Sequence, residues 1–343
     1  MRVPASRWPQ FSFSAMLNLF STALCVLLGP FTGARADVKH LQSDESTEIA
    51  YLIRRGTADS LATASLLAHL TQASDDERAP GAPAPPDPSQ LIERAISIAP
   101  DRPELIWLQL RDCESRRCGD EARIAARLKA IDADNGLAWL GDLNAAQGKS
   151  PEDVTHAIEQ MGGARLPRVY WNQLAVMMFD ALTHHERKEP PTAITQHADD
   201  RLLHVTGVLA AVDIPAFRPL AYACRSDEFV AAGRREACEK AMARLESSDA
   251  VVTHLVRLSV LEGWWPASTP EGAALRRERL QRRYLTVASN RLRNGRADSD
   301  AEMRVEAMRH LQSEEDVERA MLTAFHEPLE RPADWQSPAP PDP

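Results

Sequence analysis

The chain has 343 residues, 44 % hydrophobic and 26 % charged, with a net charge of −9. This length allows one large or two ordinary domains with a real core. The acidity argues against a general nucleic-acid binder, whose affinity rests on basic side chains that displace counterions.

At the N-terminus, Arg2 and Arg7 precede a largely apolar run from Ala15 to Leu28, no acid occurs before Asp37, and Ala34-Arg35-Ala36 is a small-residue triplet. This is the three-part layout of a secretory signal peptide, 1–36, with cleavage expected after Ala36. The run is shorter than the ~20 residues a spanning helix needs, so a permanent anchor is the weaker account. A mitochondrial presequence would be amphipathic and lack the compact apolar block. Cys25 leaves with the signal, because Leu24 stands where a lipoprotein signal needs a small residue. The expected location is periplasmic or secreted.

Residues 37–75 predict a helical pair, near 44–54 and 58–72, with Gly56 to Asp59 as the turn. A Pro-rich linker, 76–89, follows. Beyond it apolar residues recur at helical spacing, as in Leu202, Leu203, Val205, Val208 and Leu209, and no long alternating β-branched run occurs. The class is all-α.

Within 90–265, Trp107, Trp139 and Trp171 are spaced by 32 residues and by 32 again. Each follows a breaker segment: Pro100 to Pro103, Asp132 to Gly136, Gly162 to Pro167. Shorter second helices are expected near Asp120 to Ile131 and Pro151 to Met161, with Ala125 and Ala157 at equal distances from their tryptophans. A helical pair of this size cannot bury its apolar face alone, so such units must stack. Tryptophans at recurring positions read as packing anchors.

The pattern resembles the tetratricopeptide-repeat (TPR) family, whose first helix begins W-x2-L-G. Trp107-x2-Leu110 and Trp171-x2-Leu174 keep the first part, whereas Trp139 is followed by Leu143 one place late. Arg111 and Ala175 occupy the glycine position, and Glu189-Pro190-Pro191 interrupts the third unit. Ala130 to Asn135 is similar to the inter-repeat D-P-x-N turn without its proline. The chain is also similar to exported TPR-like proteins of high-GC proteobacteria, a likeness that implies no activity. The implied fold is an α-solenoid of stacked helical hairpins.

Cys113, Cys118, Cys224 and Cys238 remain after signal removal, and an even count in an exported chain reads as disulfides. Three connectivities are possible. The sequence-local one, Cys113 with Cys118 and Cys224 with Cys238, is expected. Five residues of continuous helix rise ~7.5 Å, beyond disulfide reach, so this pairing requires the helix to break between Cys113 and Cys118.

C-terminal helices are expected over 266–330, and a disordered Pro-rich tail over 331–343. Trp264 and Trp265 are adjacent indoles that cannot both face inward on one helix, so one is a candidate contact residue. From Leu275 to Arg296 there are eight arginines. Arg276, Arg279 and Arg283 form a stripe, with Leu280, Tyr284 and Val287 on the adjoining side expected to be buried. Such a stripe could receive an anionic partner or membrane headgroups; a solvated face paired with acids elsewhere is the plainer account.

Other motifs fail on inspection. Gly148-Lys149-Ser150 ends like a P-loop, but Leu143 replaces the first glycine and no strand precedes it. Asp132, Asp134 and Asn135 suggest a calcium loop, yet Gly136 and Leu143 occupy ligand places. His184-His185-Glu186 lacks the second zincin histidine because Glu189 stands there, and His197 with His204 makes an incomplete zinc site. No metal or cofactor is expected. Glu45-Ser46, Glu114-Ser115 and Glu246-Ser247 are the only Glu-Ser pairs of the kind lytic transglycosylases use, and none precedes a Gly-rich loop.

The expected function is binding of a protein partner by an envelope helical-repeat protein, not catalysis. The alternatives are an envelope hydrolase with an unrecognised carboxylate pair and a purely structural helical module.

Overall fold

The computed structural model describes residues 38–73, 86–146, 150–183, 197–212, 214–225, 233–293 and 298–337. The signal segment with its cleavage position after Ala36, linker residues 76–85, the stretch His184 to Pro191 and tail residues 338–343 lie outside the described residues. One compact unit spans 39–335; a second combines 1–38 with 336–343, of which only Val38, Gln336 and Ser337 are described.

All regular elements among the described residues are helical. They are α1 (Val38–Arg55), α2 (Ala58–Ala73), α3 (Pro88–Ile98), α4 (Pro103–Arg116), α5 (Glu121–Ile131), a 3-10 turn (Gly136–Trp139) running into α6 (Leu140–Ala146), and α7 (Pro151–Gly163). Then come α8 (Trp171–Thr183), α9 (Ala198–Val212), α10 (Arg218–Ala223), α11 (Arg235–Leu245), α12 (Val251–Trp264), α13 (Pro270–Arg293), α14 (Asp298–His310) and α15 (Glu314–Ala324).

Local chemistry sets many of these ends. Ser150 before Pro151 caps α7 by accepting the Asp153 N–H at 3.2 Å, and Ser313 does the same for α15 through Asp316 at 3.1 Å. A proline at the first position costs nothing, because its missing N–H would have had no helical partner. The Pro-rich linker ends earlier than expected for this reason: Asp87 accepts the Ser89 N–H at 3.0 Å and α3 begins at Pro88.

Helix α4 ends in a Schellman turn. Arg117 is left-handed at φ 53°, its N–H reaches the Glu114 carbonyl, and the Cys118 N–H reaches the Cys113 carbonyl at 3.1 Å. Cys113 and Cys118 are disulfide-bonded with Cα atoms 4.9 Å apart. The bond therefore joins the two positions that a hydrophobic contact usually joins in this motif, and the expected helix break falls between them. Cys224 pairs with Cys238 at a Cα separation of 5.6 Å, tying the end of α10 to α11. In the chain-entropy picture the two loops contribute about 2 and about 3 kcal/mol.

Successive helices pack in chain order from α2 to α7. The next strong neighbour of α7 is α11, and packing continues through α12, α13, α15 and α14 to α9, which meets α2 again. The contacts thus form a closed circuit, with α8 against α2, α9 and α14. In α8, Trp171, Leu174, Ala175, Met177, Met178, Phe179, Ala181 and Leu182 are buried over a wide sector, while Gln173 and Thr183 are exposed on the remaining one. So broad an apolar sector packs against several neighbours at once. The α7–α11 contact depends on Gly162, where a Cβ would lie 2.8 Å from the Lys240 Cβ and 3.0 Å from the Ala241 nitrogen.

Trp107 and Trp171 are buried anchors, as are Ala125 and Ala157. Trp139 departs from the expectation: it is half-buried, with the Lys129 ammonium 3.9 Å from its ring centre. Of the expected disordered tail, residues 331–337 are described, and Trp335 packs edge-on against Tyr284 at 5.6 Å. An indole with that much apolar surface gains more by docking than by staying in water.

Candidate functional site

The breaker segments at Asp132 to Gly136 and Gly162 to Pro167 pack on one another. Asn135 is wholly buried and its amide is fully used. Its Oδ1 accepts from the Leu137 and Arg168 N–H groups, each at 3.0 Å, while Nδ2 donates to the Arg168 carbonyl at 3.0 Å and to the Tyr170 hydroxyl at 3.1 Å. Tyr170 donates to Asp132 Oδ2 at 2.7 Å and meets Trp107 edge-on at 6.2 Å. Burial and the Asp132 carboxylate push the Tyr170 hydroxyl pKa upward. The Tyr170 backbone is left-handed, φ 61°, a conformation L-aromatic residues rarely adopt, and these partners hold it there.

Helix α8 has no capping side chain of its own. Asp249, 80 residues away in sequence, accepts the Val169 N–H at 2.9 Å, and its carboxylate also takes the Tyr170 and Trp171 N–H groups. Burial raises its pKa to about 6 in spite of these bonds. Glu314 in turn accepts the Val251 N–H at 2.8 Å at the start of α12, and the Glu314 N–H reaches the Asp249 carbonyl at 2.9 Å. The starts of α8, α12 and α15 are thus capped jointly. The calcium-loop carboxylates serve this framework too: Asp132 binds Tyr170 and Arg168, and Asp134 pairs with Arg165.

A Ser/His/Asp group joins α2, α3 and α4. His69 Nε2 lies 2.6 Å from Asp112 Oδ1, Ser89 Oγ donates to Asp112 Oδ2, and Arg116 pairs with the same carboxylate. Burial pushes the Asp112 pKa up, but hydrogen bonds from His69 and Ser89 and the charges of His69 and Arg116 outweigh it and hold it below the usual range. Serine and histidine bind opposite oxygens of one carboxylate. A nucleophile–base relay needs the serine on the imidazole, so this group is a clamp. Of the Glu-Ser pairs, Glu114 binds Arg111 while Ser115 donates to the Asp112 carbonyl, and Glu246 binds Arg257 while Ser247 donates to the Arg244 carbonyl.

The arginine stripe is engaged within the chain. Arg279 makes two hydrogen bonds to Glu262, at 2.8 and 2.7 Å, and Arg276 donates to the Ala267 carbonyl at 2.6 Å. Arg283 is half-buried on the same helix. Leu280, expected on the buried side, is 36 % exposed. It lies four residues after Arg276 and three before Arg283, on the stripe itself, while Leu275, Tyr284, Leu285 and Leu292 face inward. A second set of ion pairs, Arg257–Glu278, Arg282–Glu278, Arg282–Glu315 and Arg319–Glu315, joins α12, α13 and α15. His254 sits beside it, with its pKa pushed down to about 4 by burial and the Arg282 charge.

Trp264 and Trp265 are both half-buried, so neither is the freely exposed indole expected. The Trp264 indole N–H donates to the Cys224 carbonyl at 2.7 Å, which places the end of α12 against the stapled end of α10. Two residues earlier Tyr222 is 47 % exposed, with the Arg225 guanidinium 4.9 Å from its ring centre. The second disulfide thus holds an edge carrying Tyr222, Arg225 and Trp264, with Trp265 following Trp264 in sequence. The sequence reading missed Tyr222; its aromatic ring two residues before a cysteine was the available signal.

Cys113, Cys118 and Glu121 are the one group of at least three potential metal ligands brought together among the described residues, and the two sulfurs are bonded to each other. His204 is half-buried, its pKa lowered to about 4 by desolvation, while His197 is exposed. A cavity of about 10 Å³ beside Asp199, Asp300, Arg304 and Met321 has room for about one water. Next to it Arg304 donates to Ser289 Oγ at 2.5 Å, and wholly buried Glu318 has its pKa raised to about 8 by burial and the neighbouring Glu314, partly offset by Arg304. The fold and these clusters define an all-helical protein with two disulfides. Compared with family models, curated proteins and solved structures, the chain matches none.

Proposed function

We propose that this chain is a non-enzymatic helical scaffold of an exported compartment that binds a protein partner through the edge formed by Tyr222, Arg225, Trp264 and Trp265. The observation that carries the reading is that edge itself. Tyrosine, tryptophan and arginine dominate binding hot spots, and here they are held by a disulfide and a 2.7 Å indole–carbonyl bond. Two disulfides favour an oxidising compartment. Packing in chain order from α2 to α7 supports a TPR-like origin for that part of the chain.

The test is site-specific photocrosslinking in the producing cell, with the probe at Tyr222 or Trp265 and at exposed Glu93 on α3 as control. One and the same protein should be captured from both edge positions and not from Glu93. With the purified pair, Tyr222→Ala should weaken binding at least about tenfold, the size of a modest hot spot. An edge that captures nothing above the control removes the proposal.

A further inference from the structure

The segment after α15 runs without regular secondary structure across α13 and is fastened at a few points. Tyr284 Oη donates to the Pro328 carbonyl at 2.7 Å. The Gln281 amide donates to the Leu329 carbonyl at 2.7 Å and accepts the Arg331 N–H at 2.9 Å. That is the two-bond pairing a neighbouring strand residue would offer, so Gln281 recognises the backbone of the segment rather than its side chains. Leu329 and Trp335 add their apolar surface to Tyr284, Leu285, Leu292 and Leu322, a cluster separate from the main core. Glu327, Pro328, Glu330, Ala333 and Asp334 remain exposed between the anchors.

The turn that delivers this segment is strained. The Glu327 N–H bonds to the Leu322 carbonyl at 2.9 Å and the His326 N–H to Thr323 at 3.1 Å, closing α15 with His326 at φ 59°. Glycine is the usual residue there, and an L-residue is disfavoured in this conformation.

We infer that Glu327–Trp335 is an exchangeable strap, and that the α13 groove made by Gln281, Tyr284 and Leu285 is an interaction surface for the same segment of a second copy of this chain. Exchange recovers every strap contact, because the second copy carries the identical segment. An opened hinge also releases His326 from its left-handed turn. The energy difference between closed monomer and exchanged dimer therefore sits in the hinge, the situation in which domain swapping depends on concentration.

The experiment uses the full chain and measures its dimerisation constant by sedimentation, for the native sequence, His326→Gly and His326→Val. Glycine is at ease in the closed turn and should lower the constant about tenfold or more; β-branched valine is not and should raise it similarly, with two hinges per dimer. Mixing one chain carrying Ala288→Cys with another carrying Leu329→Cys and adding a short bis-maleimide should yield cross-linked heterodimer, with more product when both carry His326→Val. A chain that stays monomeric at millimolar concentration in the native and valine forms overturns the proposal. So does a dimer whose constant ignores residue 326.

Discussion

Replacing Asn135 with alanine tests whether the breaker segments are held by one buried amide. The substitution leaves the Leu137 N–H, the Arg168 N–H and the Arg168 carbonyl without the partners they have now, while Tyr170 keeps Asp132. An unsatisfied buried backbone group costs about 1–3 kcal/mol; the Leu137 N–H is buried and the two Arg168 groups are part-buried, which places the expected loss at about 1–3 kcal/mol. That is a large fraction of the roughly 5–15 kcal/mol a domain of ordinary stability possesses. Urea unfolding under non-reducing conditions, followed by far-UV circular dichroism and tryptophan fluorescence, measures it. Both probes should report the same earlier midpoint. The fluorescence change should include Trp107, because its neighbour Tyr170 loses one of the bonds that hold its left-handed backbone. A loss under about 1 kcal/mol would refute the reasoning, because water would then be replacing the amide at no real cost.

Gly162→Val should cost about 1–3 kcal/mol by pushing α11 away from α7, whereas Gly163→Ala, whose Cβ meets nothing within 4 Å, should be near neutral in the same urea unfolding assay. Glu318 gives a pH test. Its folded pKa of about 8 lies above the ordinary 4.5, so its contribution is fully present below pH ~4.5 and is lost as pH rises through 8. Glu318→Gln should therefore gain on the native chain by more than about 1 kcal/mol between pH 5 and pH 9, measured by urea unfolding. His204 and His254 act in the opposite sense. With folded values near 4, their contribution is present above about 6.5 and lost as pH falls toward 4, so acid should destabilise the chain whichever residue stands at 318.

The helical class and the positions of α2, α5 and α7 were legible because they are local: prolines and breaker segments mark them directly, although the start of α3 at Pro88 was not expected. The disulfide pairing was legible for the same reason, and it carried the break in α4 with it. What escaped is long-range. No spacing rule says that α7 meets α11 or that α8 meets α2. The cap that Asp249 provides to α8 comes from 80 residues away, so a search for a nearby serine or aspartate could not find it. Leu280 shows a finer failure. Helical periodicity assigns residues to faces, but which face is inward depends on the neighbours, and Glu262 and Glu315 draw Arg279 and Arg282 of α13 toward α12 and α15.

The closed circuit limits how this architecture can vary. An open stack of helical pairs lengthens or shortens by one pair at either end, since only nearest neighbours feel the change. Here an added pair between α2 and α7 would displace α7 from α11 by at least one interhelical spacing, about 8–10 Å, and leave the glycine contact at Gly162 with nothing to meet. The number of helices between α2 and α7 is a geometric closure condition.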